Sequence, residues 1–138
     1  MQNLTISFIG AGNMATSIIN GLLKKNFPAK NIWATNNNSE QLNQLKSLNI
    51  NLTTDNKTAV RRSTVVVLAV KPQILKSVAL EIAKCMQERN PLVISIAVGI
   101  RLNHLENYLL NQNLALIRCM PNTPALIGCA ATALFANP

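Results

Sequence analysis

This sequence predicts a doubly wound α/β domain: a mainly parallel sheet with helices on both faces. Three observations carry that prediction. Strand-like apolar runs alternate with helix-period stretches along the whole chain. The runs at residues 64–70 (TVVVLAV) and 91–96 have no polar face, as expected of strands covered on both sides. A glycine turn, Gly10-Ala11-Gly12, joins the first strand-like run to the first helical one.

The elements follow in order. Residues 4–9 form a strand, and residues 12–26 a helix with apolar stripes at Met14, Ile18 and Leu22 and at Ile19 and Leu23. Residues 31–35 are the second strand. Ser39 caps a helix whose apolar face is Leu42, Leu45 and Leu48. A short strand covers 51–53, and Asp55 caps a brief helix toward Arg62. After the strand at 64–70, Pro72 starts a helix bearing Leu75, Val78, Ile82 and Met86 on one side. The strand at 91–96 precedes a helix marked by Leu102, Leu105 and Leu109. A strand at 114–119, the turn MPNTP and a last strand at 131–136 complete the order. The chain has 138 residues, about half of them apolar, which suits one domain around one core. The expectation is a single domain over 1–138 with no second domain present.

Composition excludes several classes of function. No uninterrupted apolar stretch approaches the roughly 20 residues of a membrane span, and the N-terminus lacks the basic lead and cleavage site of a secretory signal. The cytoplasm is the expected location, with no membrane partner. Formal net charge is +8, but the basic residues are scattered, densest at Lys24-Lys25 and Arg61-Arg62, with almost no aromatic interleaving. That scatter fits anionic small molecules better than nucleic acid. The three cysteines, Cys85, Cys119 and Cys129, form no C-x-x-C pair, and His104 is the single histidine. No metal site is expected, and the thiols read as reduced packing residues.

Residues 10–15, GAGNMA, fit G-x-G-x-x-A in the strand–turn–helix context that gives the pattern meaning. Gly10 permits the tight turn, Gly12 lets a pyrophosphate approach the backbone, and Ala15 lets helix and strand pack closely. The exposed amides of Ala11, Gly12, Asn13 and Met14 then face the phosphates. A Rossmann-like dinucleotide site follows. The residues after the second strand, Thr35-Asn36-Asn37-Asn38-Ser39, contain no acid to hold ribose hydroxyls. Amide donors such as Asn36 and Asn37 accept a 2′-phosphate more readily than a carboxylate would, so NADP(H) is preferred, with NAD(H) as the alternative.

Five segments, FIGAGNMA, TDNKTAV, LAVKPQ, VISIAVGI and RCMPNTPALIG, together resemble the N-terminal domain of pyrroline-5-carboxylate reductase, in its order and at its spacing. That family reduces a cyclic imine to L-proline with NAD(P)H. The resemblance implies that Asn56 contacts the cofactor's ribose-phosphate region. It implies that Ala69, Val70, Lys71 and Pro72 lie beside the nicotinamide half, backed by Ile96 and Ala97. Lys71, Met120, Pro121, Asn122 and Thr123 become the candidates nearest nicotinamide and substrate, with Pro124 in the same loop. Lys71 reads as orienting the cofactor rather than as a general acid. A protonated imine already accepts hydride well, so no strong general base is needed, and no residue is assigned as catalytic with certainty. By the resemblance, a helical dimerisation domain is expected to be missing from this sequence. The expectation is therefore an enzyme of weak or no activity as an isolated, truncated chain. Its partners would be a small imine substrate and either a missing helical domain or a second copy. The alternative is a non-catalytic dinucleotide-binding module.

Overall fold

The computed structural model describes residues 3–121 and 132–138. Its sheet has seven strands in the order β3-β2-β1-β4-β5-β6-β7. These are β1 (Ile6–Ile9), β2 (Ile32–Thr35), β3 (Asn51–Thr53), β4 (Val65–Leu68), β5 (Leu92–Ser95), β6 (Leu116–Met120) and β7 (Ala133–Ala136). The first six run parallel, and β7 returns antiparallel to β6. The predicted fold class is the observed one.

Strand alternation distributes the core over both faces of the sheet. Phe8 and Val67, paired in register across β1 and β4, pack with Ala15, Ile19, Ile32 and Ala34 on one side. Their neighbours Ile9, Val66 and Leu68 pack with Leu75, Ile82, Met86 and Leu105 on the other. Period-two side chains on a buried strand must be apolar in both directions, which is why TVVVLAV carries no polar face.

The helices are α1 (Asn13–Lys24), α2 (Ser39–Asn43), α3 (Asn56–Arg61), α4 (Pro72–Arg89) and α5 (Leu102–Tyr108). Pro72 occupies the first turn of α4, where its missing N–H costs nothing. Asn90 closes the same helix in a left-handed conformation, at φ 47°. Asp55 caps α3 by accepting from the Lys57 N–H at 3.0 Å. The expected cap of α2 shifts by one residue. Asn38, not Ser39, accepts from the Glu40 N–H at 2.9 Å and the Gln41 N–H at 3.4 Å. α2 is also shorter than its leucine spacing suggests. Leu42 and Leu45 are buried, but a 3-10 turn (Lys46–Leu48) and a left-handed Asn49 replace its last turn. The strand at 91–96 is covered less evenly than expected, with Val93 and Ser95 buried and Leu92 and Ile94 half-buried.

Cys85 is buried in the core, and His104 lies on the surface stacked against Tyr108. Among the described residues no helix is long and apolar enough to cross a membrane.

Candidate dinucleotide-binding site

The carboxyl ends of β1, β2 and β4 open into one cavity of about 580 Å³. Ligands of open α/β sheets bind at this end, where the connections leave a crevice between helices on opposite faces. Gly10 leaves β1 with φ +96°, a conformation that L side chains rarely adopt. A Cβ there would lie 2.9 Å from the Ala69 carbonyl carbon, the Val70 nitrogen and Val70 Cγ1. The turn is pressed against the connection leaving β4, and the Ala69 N–H donates to the Ile9 carbonyl at 2.8 Å. Gly12 differs. Its backbone is extended (φ −82°, ψ −171°), and nothing lies within 4 Å of where a Cβ would be. The folded protein does not require glycine there, but a ligand approaching the backbone would. Gly12 caps α1 without a side-chain acceptor, leaving the first amides of that helix unpaired within it.

Thr35 ends β2 and is fully buried. Its Oγ1 accepts from the Gly10 N–H at 3.3 Å and donates to Asn56 Oδ1 at 2.6 Å. Asn56 Nδ2 donates in turn to Glu81 Oε2 at 3.4 Å. In the loop after β2, Asn36 is committed to local bonds, accepting from the Asn38 N–H at 2.9 Å and donating to Gln41 Oε1 at 2.7 Å. The side chain of Asn37 has no protein partner among the described residues and stands at the cavity wall.

Of the expected cofactor residues, Gly10, Ala11, Gly12, Asn36, Asn37 and Asn56 line the cavity, as do Ala69, Val70 and Lys71. Asn13 and Met14 lie in the first turn of α1, and Pro72 in the first turn of α4, all outside the lining. Ile96 and Ala97 follow β5. The Ile96 N–H donates to the Leu68 carbonyl at 3.1 Å, Ala97 is buried in the core, and both lie outside the lining of this cavity. Met120 ends β6 and Pro121 follows it, both half-buried and away from the lining. Asn122, Thr123, Pro124 and Cys129 lie outside the described residues. Burial pushes the Cys119 thiol pKa up, which favours its packing role over that of a nucleophile.

Thr35 and Asn38, named only as members of the loop after β2, line the cavity too, and Gln41 was missed, as were Ile74, Ser77, Val78 and Glu81 of α4 as lining residues. The α4 residues recur at 74, 77, 78 and 81, a second face of the helix beside the core face. That spacing was the available signal. Among the described residues no group of three or more His, Cys, Asp or Glu side chains could hold a metal ion.

Fold and cavity together define a dinucleotide-binding domain of the oxidoreductase type. Residues 5–99 match the family described as NADP oxidoreductase, coenzyme F420-dependent, and the chain belongs to that family. Over essentially its whole length it is also similar to pyrroline-5-carboxylate reductases. It is 42% identical to that of Pseudomonas aeruginosa over 138 residues, covering 99% of this chain and 50% of the relative. It is 41% identical to that of Vibrio alginolyticus over 137 residues, with the same coverage. Among solved structures, the Coxiella burnetii enzyme superposes with a TM-score of 0.94 at 37% identity, covering 99% of this chain and 50% of that one. A Plasmodium falciparum pyrroline carboxylate reductase with NADP bound superposes at 0.85 with 27% identity, covering 99% and 49%. The resemblance expected from the motifs is found in these matches. The chain spans about half the length of the curated relatives it matches.

Proposed function

We propose that this chain is the nucleotide-binding half of a pyrroline-5-carboxylate reductase and holds NADP(H) in preference to NAD(H). The observation that carries the reading is the cavity itself. A glycine turn forced close to the β4–α4 connection stands beside a second glycine with open space over it, at the carboxyl ends of three parallel strands. The similarity to pyrroline-5-carboxylate reductases names the reaction, and the NADP-bound Plasmodium relative supports the cofactor class.

In this reading Gly10, Ala11, Gly12 and the first-turn amides of Asn13 and Met14 hold the pyrophosphate. Asn37 and Asn56 serve the ribose end, with Asn36 shaping the loop. No acid stands in the loop at Asn36, Asn37 and Asn38, so nothing there repels a 2′-phosphate. Ala69, Val70, Lys71 and Pro72, with Ile96 and Ala97, lie toward the nicotinamide half, and Lys71 orients rather than protonates. Met120, Pro121, Asn122 and Thr123 stand nearest the imine substrate. When bound, NAD(P)H supplies hydride to the carbon of a protonated cyclic imine, giving L-proline. The protein's part is to align the two and exclude water.

The domain spans 1–138, works in the cytoplasm and takes its partner groups from a helical segment or a second copy. Because the chain spans half of its relatives, a second reading is a binding module without turnover. Titrating the 138-residue chain with NADPH and with NADH, followed by nucleotide fluorescence, tests the first claim. Binding with NADPH tighter is expected, and no binding of either would overturn it. Turnover of pyrroline-5-carboxylate separates the two readings, and weak or absent turnover by the isolated chain is expected.

A further inference from the structure

Four hydrogen-bonding groups that line the cavity are joined in a single line of hydrogen bonds: Gly10 after β1, Thr35 at the end of β2, Asn56 opening α3 and Glu81 on α4. Its direction is fixed by chemistry. A backbone N–H can only donate, so the Thr35 hydroxyl accepts from Gly10. The single Thr35 proton is then free to be given away. Asn56 Oδ1 at 2.6 Å takes it in preference to the Phe8 carbonyl at 3.5 Å. An ionised carboxylate can only accept, so Glu81 takes a proton of the Asn56 Nδ2 group. Both ends therefore impose the same orientation on the Asn56 amide, oxygen toward Thr35 and nitrogen toward Glu81. Nδ2 carries two protons and the line uses one of them. The other remains on a side chain that lines the cavity.

We propose that Thr35 and Glu81 are positioning residues for nucleotide binding, acting by holding Asn56 with its amide N–H presented to an acceptor oxygen at the ribose end of a dinucleotide. This rests on the dinucleotide reading given above. Thr35 is the stronger of the two, because its bond is short and partly buried while that of Glu81 is long and exposed.

A double-mutant cycle on the full 138-residue chain tests the proposal, with the NADPH dissociation constant and the thermal midpoint of the ligand-free protein both recorded. Thr35→Val weakens NADPH binding about tenfold, the scale of one lost hydrogen bond. Thr35→Ser, which keeps the hydroxyl, stays within about twofold of the parent. In an Asn56→Ala background, Thr35→Val adds less than about twofold, because the residue it acts through is gone. Glu81→Ala weakens binding about threefold, Glu81→Gln stays near the parent because its amide oxygen still accepts, and neither changes binding further when Asn56 is alanine. Where Thr35→Val fails to fold, the Glu81–Asn56 cycle decides alone. Equal losses with and without Asn56 would overturn the proposal while leaving the dinucleotide reading intact. A parent chain that binds neither NADPH nor NADH would overturn both.

Discussion

The two sides of the sheet end very differently. Around β1, β2 and β4, the polar side chains at the strand ends are tied to one another, and Gly10 sits against backbone with no space to spare. At the far edge, β7 leaves Leu134 and Phe135 about two-thirds exposed, the most solvent-accessible large apolar side chains of the described residues. Beyond its backbone pairing with β6, β7 is tied down by Asn137. Its Oδ1 accepts from the Leu116 N–H at 2.9 Å, and its Nδ2 donates to the Leu114 carbonyl at 2.9 Å and to Glu106 at 3.2 Å. Close packing belongs to the cavity side. On the edge, a backbone ladder and the Asn137 side chain do the fastening. Residues that look alike in the sequence therefore respond differently to substitution.

Gly10→Ala should show the largest effect. It meets both an unfavourable φ and backbone atoms at 2.9 Å, and should destabilise the fold by about 2–5 kcal/mol in a denaturant titration. Gly12→Ala sharpens the contrast. With an ordinary φ and open space, it should cost less than about 1 kcal/mol of stability, mainly as a poorer cap. It should nonetheless weaken NADPH binding at least about tenfold if a pyrophosphate passes over it. Equal stability losses for the two glycines would break the comparison.

Asn137→Ala removes three hydrogen bonds and should cost about 1–3 kcal/mol, with hydrogen exchange accelerating in β6 and β7 but not in β1. Uniform acceleration would mean the edge is not a separate unit.

Asp55 supplies a pH-dependent contribution on the cavity side. The Thr58 hydroxyl chiefly, with the Lys57 and Thr58 N–H groups and the Arg61 charge, holds its carboxyl below the ordinary carboxylate pKa. A lowered folded-state pKa means that this stabilisation is complete above the unfolded pKa and is lost as pH falls through the folded one. Denaturant midpoints of the parent and Asp55→Asn should therefore differ most near neutrality and converge in acid. A gap that widens on acidification would reverse the assignment. Phe135→Ser should have the smallest effect, within about 0.5 kcal/mol, because a side chain already in water loses little. A larger loss would show that β7 is packed after all.

Much of this architecture was legible in the sequence, for identifiable reasons. TVVVLAV is apolar in both directions and has only one comfortable place, between two layers of helices. Pro72 and Asp55 are local signals that do not depend on the rest of the fold, and both stand where expected. What escaped depended on neighbours distant in sequence. Val78 packs against the core as its spacing predicts, but the second face that α4 presents to the cavity through Ile74, Ser77 and Glu81 had no such apolar signal of its own. Nothing local marks Glu81 as different from any other helix carboxylate until α3 brings Asn56 to it. Ser39 and Asn38 are both good caps, and only the backbone geometry chose between them.

The first strand is an interior one. β1 pairs with β2 on one side and with β4, some sixty residues later, on the other. The atoms that crowd Gly10 belong to Ala69 and Val70. The glycine turn thus precedes by some sixty residues the segment it needs, and cannot take its final shape until a long loop has closed. Such closures are entropically costly and slow, and strands waiting for them keep an edge open. The glycine turn is made before the segment that completes it, so the Ala69 amide, bonded to the Ile9 carbonyl, reports when that ordering is complete.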